Sequence, residues 1–366
     1  MTWEDIAPNS FYALMAGKPL AGKTPRNGFV FVLWRLQGDR DFFSEDYGLP
    51  RFNVAKPCPC CPAEQSDSRV MPWNDFRRTA TWIQNIYSNR DWRLLFPIAH
   101  CIFSSQPGVG IETLAMDYMH DKHLGFDTYF LSAVLITLVY YMLPKTPSEN
   151  LADVWKALDD WYHSDEGKRF SHNSFRHLTL KMFCNPSDLF ENPPHLKGRA
   201  AEISSLTPAL YHCFRAYMQN DHPDIEHHKK IRLCLRKSAR LEEILLENRE
   251  FDALPDVEAL DFENTTFDML AVYTMLNDEA LKMIIPRRMF NITMKCHGLA
   301  HIAVNAKYIN PRHGWCYGGE DLMNKMKSLA ASCTKSRSIF KVWAKMNTKY
   351  LFAMHYEFTR ERSRLR

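Results

Sequence analysis

The stretch FVFVLWRLQGDRDFF, residues 29–43, decides how this chain is read. Residues 29–37 form a near-continuous apolar and β-branched run, bounded by Asn27-Gly28 and by Gly38-Asp39. A run without polar alternation fits a strand buried on both faces of a sheet. Asp39 then falls at or just past the strand's C-terminal end, the crevice where open sheets hold ligands and chemistry. Before this stretch, residues 1–25 carry a short helical pattern around Ser10–Ala16 and a Gly/Pro/Lys linker. After it, residues 44–75 read as a loop rich in Pro and Cys, and 75–87 return to helical spacing through Phe76, Ala80, Trp82, Ile83 and Ile86.

From Asp117 the pattern is helical with short breaks. Segments 128–143, 150–162, 199–219, 226–248, 265–284, 291–306 and 319–357 stand out, with prolines mostly between them or near their starts. The longest uncharged stretch, 128–144, is short of the ~20 residues a spanning helix needs, so it reads as a core helix and no membrane is expected. Phe340, Trp343, Met346, Tyr350 and Met354 recur at three-to-four spacing and read as core packing of the last helix. The fold expected is a small piece of α/β structure followed by a large helical body.

At 366 residues the chain has room for two average domains, or for one catalytic domain with a large insertion. Its net charge of +4 excludes little, but the distribution is uneven. Residues 227–240 hold six Lys/Arg and no acid, and 320–366 hold eleven Lys/Arg against four acids. Either run is a solvated helix face or a nucleic-acid surface, for which Lys229, Lys230, Arg232, Arg236, Lys237, Lys335, Arg337 and Lys341 are the candidates. MTWEDIAPNS has no basic start followed by an apolar run, so a nuclear or cytoplasmic, non-secreted protein is expected. Ten scattered cysteines, clustered only at Cys58, Cys60 and Cys61, suggest a reducing compartment with one candidate metal knuckle.

Four patterns can carry chemistry: QGD at 37–39, KPCPCC at 56–61, DYMHDKHLG at 117–125, and CHGLAH leading through NPRHGWCYGGE to Glu320. Each has a plain structural explanation. Gly-Asp after a strand is commonly a turn, His297 and His301 at i, i+4 are commonly hydrogen-bonded core residues, and Glu320 suits a helix N-terminus. A structural zinc on Cys58 and Cys61 needs two more ligands, which the sequence leaves open among Cys60, Cys101 and His120. His297, His301 and Glu320 around one ion would instead make a hydrolase, although no Glu stands between the histidines as in zincins.

Taken in order, these motifs resemble the transposases of the CACTA (EnSpm) superfamily and of the related Plavaka- and KDZ-type elements. The resemblance spans roughly residues 29–345 and rests on Gly38-Asp39, the Cys58–Cys61 segment, Asp117-x-x-His120 with Leu124-Gly125, and Glu320. It implies an RNase H-like α/β fold with a large all-α insertion, predominantly helical overall. The implied domains are a partial catalytic core over 1–116, a helical insertion over 117–290, and helices over 291–366 that complete the core and end in a basic tail. It further implies DNA cleavage and strand transfer by an Asp-Asp-Glu triad with Mg²⁺ or Mn²⁺, DNA transposon ends as partner, self-association, and no small-molecule cofactor. Carboxylates converging on one point suit that chemistry, because paired divalent ions activate the attacking hydroxyl and stabilise the leaving oxygen. By resemblance Asp39 is the second catalytic Asp and Glu320 the Glu, both metal ligands, with Asp117, His120, His297 and His301 supporting the site. The first Asp would precede Asp39, where no strand carries one, so the expectation is an N-terminally truncated and inactive fragment. The alternative is a non-catalytic helical DNA- or protein-binding derivative.

Overall fold

The computed structural model describes residues 36–96, 110–183, 192–282, 288–334 and 339–364. The expected helix at Ser10–Ala16 and residues 29–35 of the expected strand lie outside the described residues. Leu36–Gln37 (β1) pairs in parallel with Leu114–Ala115 (β2), Leu36 opposite Leu114 and Gln37 opposite Ala115. The described residues between them are mostly loop, interrupted by short helices that include Arg40–Asp46 (α1) and Asn89–Leu95 (α2).

The helix expected over 75–87 is largely absent; only the single turn Thr81–Gln84 forms. Polar groups explain the loss. The Asp75 carboxylate accepts from the Arg77 backbone and guanidinium, and the Asp75 carbonyl accepts from Trp82 Nε1 at 2.7 Å. Trp82 is thereby driven into the core by local bonds rather than by a helix face.

Met119–Met142 (α3) is the central helix, a regular stretch Asp127–Ile136 between two π-helical ends. Its length and composition would suffice to cross a membrane, yet 78% of its apolar window is buried inside the protein. Around it stand Pro147–His163 (α4), Ala200–Tyr217 (α5), Ile225–Glu247 (α6), Asp256–Leu281 (α7) and Met294–Asn305 (α8). Thr146 and Glu149 close a capping box on α4, with Pro147 in the first turn where its missing N–H costs nothing. The helix expected from 265 starts at Asp256, directly after Pro255. α8 packs on the first turns of α3, and two glycines allow the approach. A Cβ on Gly298 would lie 2.2 Å from Asp121 Oδ2, and one on Gly125 would lie 2.8 Å from Lys295 Cδ.

The expected final helix over 319–357 is two helices, Tyr317–Cys333 (α9) and Ile339–Arg364 (α10). Residues up to Trp315 form one compact unit and Cys316–Arg366 another. In the second unit Tyr350, Leu351 and Phe352 are exposed, so Tyr350 is not core as its spacing suggested. The described chain is predominantly helical, as expected.

Candidate metal centre and carboxylate cavity

An aspartate follows each of the two strands. Asp39 lies two residues after Gln37, and Asp117 two residues after Ala115. Because Gln37 and Ala115 are in register, the parallel pair delivers both carboxylates to one end of the sheet. Each then starts a helix. Asp39 Oδ1 accepts from the Phe42 amide at 2.7 Å and caps α1, and Asp117 Oδ1 accepts from the Met119 amide at 2.9 Å as α3 begins. Asp117 Oδ2 accepts from His120 Nδ1. One cavity is lined by Asp39, Asp117, His120 and Asp121, with Arg40 and Lys295 as the cations and Leu114, Phe43 and Cys60 among its apolar walls.

Electrostatics in this cavity are uneven. Burial and then the neighbouring Asp117 charge push the Asp121 carboxyl up to about 7, against the pull of Arg40, Lys295 and His120. Burial works against a charged His120, but its bond to Asp117 together with the charges of Asp117 and Asp39 raises its pKa above the ordinary imidazole value. The cavity thus combines an acid that holds its proton near neutrality with a bonded His120–Asp117 pair. Sequence reasoning found Asp39, Asp117 and His120 but missed Asp121, whose only signal is its place one residue after His120.

A second cluster lies next to this wall. Cys58 and Cys61 meet His297 and His301, all four buried, with ligand atoms within 4.8 Å of one another. Cys58 Sγ is 3.4 Å from His301 Nε2, Cys61 Sγ is 3.3 Å from each Nε2, and the two Nε2 atoms are 3.2 Å apart. A tetrahedron with Zn–N near 2.05 Å and Zn–S near 2.3 Å has edges of roughly 3.4–3.6 Å for these pairs, close to what is found. The His297 Nδ1–H donates to the Trp73 carbonyl at 2.7 Å, which turns the Nε2 lone pair to the centre. Trp82 covers both rings, at centroid distances of 4.4 and 4.8 Å. Burial pushes the Cys61 thiol well up. Burial also opposes ionisation of Cys58, but S–H groups from Cys60 and Cys61 and the two imidazoles hold it well below the ordinary thiol value.

These distances answer the question the sequence left open. The missing partners of Cys58 and Cys61 are His297 and His301. Cys60 bonds Cys58 and lines the cavity but is not in the set, His120 sits with Asp117, and Cys101 lies outside the described residues. The alternative that grouped the two histidines with Glu320 around a hydrolytic ion gains no support here, where His297 and His301 meet two sulfurs. A closed set of four protein ligands is the structural kind.

His123, Asp127 and Glu242 form another buried group with ligand spacing, but a cation already stands in it. Lys122 Nζ bonds Asp127 Oδ2 at 2.7 Å and Glu242 Oε1 at 2.9 Å. Tyr118, His123 and Ser204 complete the Glu242 carboxylate, and Ser238 donates to Asp127. Burial opposes ionisation of Glu242, yet Lys122 and His123 hold its carboxyl well below the usual range. The motif residues between His120 and Asp127 therefore serve a buried ion network as well as the cavity.

The basic run on α6 is largely neutralised. Lys229 pairs with Glu226, Lys230 with Glu279 on α7, and Lys237 with Asp268 on α7. Arg232 and Arg236 remain exposed one turn apart. Lys335 and Arg337 lie outside the described residues, while Lys341 is exposed on α10. Glu320 sits exposed in the first turn of α9, in the second unit. Compared with known proteins, the chain matches no family model, no curated protein and no solved structure.

Proposed function

We propose that this chain is the strand-cleaving core, whole or in part, of a CACTA-like cut-and-paste transposase, with Asp39 and Asp117 as its paired metal-binding carboxylates. The observation that supports this reading is the register of Gln37 with Ala115, after which both aspartates line one cavity at the same end of the parallel pair. The resemblance made Asp39 the second catalytic Asp and left the first without a candidate; here Asp39 takes the first place and Asp117, expected only to support the site, takes the second. On this reading Asp39 and Asp117 are the first two acids of the triad, and the pair is competent to hold a divalent ion. The short β1–β2 pair is the part of an RNase H-like sheet that the proposal requires.

Mg²⁺ or Mn²⁺ would supply Lewis-acid activation of the attacking hydroxyl and stabilisation of the leaving oxygen. The chain's own residues do the positioning. The cap bonds of Asp39 and Asp117 fix their carboxylates on helix starts, His120 orients Asp117, and Lys295 and Arg40 place positive charge where a phosphodiester would lie. Cys58, Cys61, His297 and His301 would hold a structural Zn²⁺, whose preference for mixed thiolate and imidazole tetrahedra matches this donor set.

Plasmid nicking with Mn²⁺ tests the proposal. Nicking is expected from the unaltered chain and should fall by at least about a hundredfold in Asp39→Asn and Asp117→Asn, with helicity retained. Salt-dependent duplex binding with no nicking by the unaltered chain would instead mark a non-catalytic DNA-binding protein.

A further inference from the structure

We infer that the Cys58/Cys61/His297/His301 centre is the latch of the carboxylate cavity: its ion holds the loop that forms one wall against the helix that forms another. This inference rests on the zinc reading above and concerns what the ion does for the neighbouring site. The observation behind it is that wall and centre share the same short segments. Cys60 lines the cavity while Cys58 and Cys61 on either side of it face the centre, and Lys295 lines the cavity two residues before His297.

Few regular hydrogen bonds hold the loop in place. It has no strand or helix, and its links to the rest of the site are single bonds. The Arg40 guanidinium donates to the Pro57 carbonyl, and the Tyr87 amide donates to the Cys60 carbonyl at 2.9 Å. Arg40 itself lines the cavity, so the loop also positions one of the cavity's two cations. The ligands on the other side come from α8, which touches the Asp117–Asp127 segment through Gly298 against Asp121 and Lys295 against the Leu124 carbonyl. An ion bonded to both therefore ties residues 236 to 243 positions apart across the back of the cavity. Without it, the loop keeps the burial of Cys58, Cys60 and Cys61, the single bonds above and weak thiol–imidazole contacts, none of which ties it to α8 as firmly as four ligand bonds would.

The test uses the full chain in apo and Co²⁺-loaded forms. Cobalt should give tetrahedral d–d bands with thiolate charge transfer, one ion per chain. Hydrogen exchange would then be compared between the forms over 39–46, 57–61 and 117–127, with 225–281 as the internal reference. Removing the ion is expected to lower protection at least about tenfold in the first three segments and to leave the reference unchanged. Mn²⁺ binding at the cavity, read by electron paramagnetic resonance, should weaken in parallel. Absence of the cobalt–thiolate spectrum would overturn the metal reading and the latch with it. A normal spectrum with unchanged protection at 39–46 and 117–127 would overturn the latch alone. Loss of protection across 225–281 as well would also overturn it, because the ion would then staple the whole fold. Cys61→His, which keeps a ligand, should retain cobalt binding and cavity protection, whereas Cys61→Ala should lose both.

Discussion

Asp39 and Asp117 occupy matched positions on two parallel strands: Gln37 pairs with Ala115, and each aspartate follows two residues later. Both carboxylates also start a helix, so removing either has a structural cost separate from any chemical one. Asp39→Ala deletes the bond from the Phe42 amide and should cost about 1 kcal/mol of stability. Asp39→Asn keeps a cap and should stay within a few tenths of a kcal/mol of the parent in urea melts. A larger loss for Asn than for Ala would contradict the capping role.

The packing of α8 on α3 depends on Gly298. A methyl group there would stand 2.2 Å from Asp121 Oδ2, so Gly298→Ala must push the helices apart or turn Asp121 away. The expected cost is about 1–3 kcal/mol, typical of overpacking, with a perturbed cavity as well. Thermal melts together with the hydrogen exchange of 117–127 would show whether the strain falls there.

Asp121 makes the metal-free protein's stability fall as pH rises. Its folded carboxyl titrates at about 7, above the unfolded value near 3.9. Below pH 4 the proton is bound in both states and costs nothing. Between pH 4 and 7 the unfolded chain gains by releasing it, so stability declines, and above 7 the loss is constant. Asp121→Asn should therefore stabilise the metal-free chain at pH 8 by on the order of 1–2 kcal/mol, discounted because the group lines an open cavity, and by little at pH 4. Equal effects at both pH values would count against the assignment.

Lys122 is fully buried between Asp127 and Glu242. Lys122→Met should destabilise by about 3–5 kcal/mol, because it leaves buried carboxylates without their ammonium. Adding Glu242→Gln should recover part of that loss. Non-additivity of the two substitutions in denaturant melts is the check.

What was legible in the sequence follows from range. Asp39 as a residue following a strand, the long helices, and the cysteine and histidine pairs each have local signals of apolar run, period or spacing. The union of Cys58/Cys61 with His297/His301 does not, because more than two hundred residues separate the pairs and no periodicity spans them. Asp117 as a strand-end acid was hidden because only Leu114 and Ala115 form β2, too few for a pattern. α3 was expected from 128 because its first turns are rich in charge, and only the fold shows that Lys122 and Asp127 cancel each other inside. The basic run on α6 was open to both a solvated-face and a nucleic-acid reading because two of the acids that pair with it, Glu279 and Asp268, lie on α7, outside any local window.

The pairing of Asp39 with Asp117 is most directly tested by Mn²⁺ titration of the full chain. The unaltered protein should bind Mn²⁺ at the cavity, and Asp39→Asn and Asp117→Asn should each weaken binding by about tenfold or more, since each removes a carboxylate ligand. Binding that is unchanged in both variants would contradict the account.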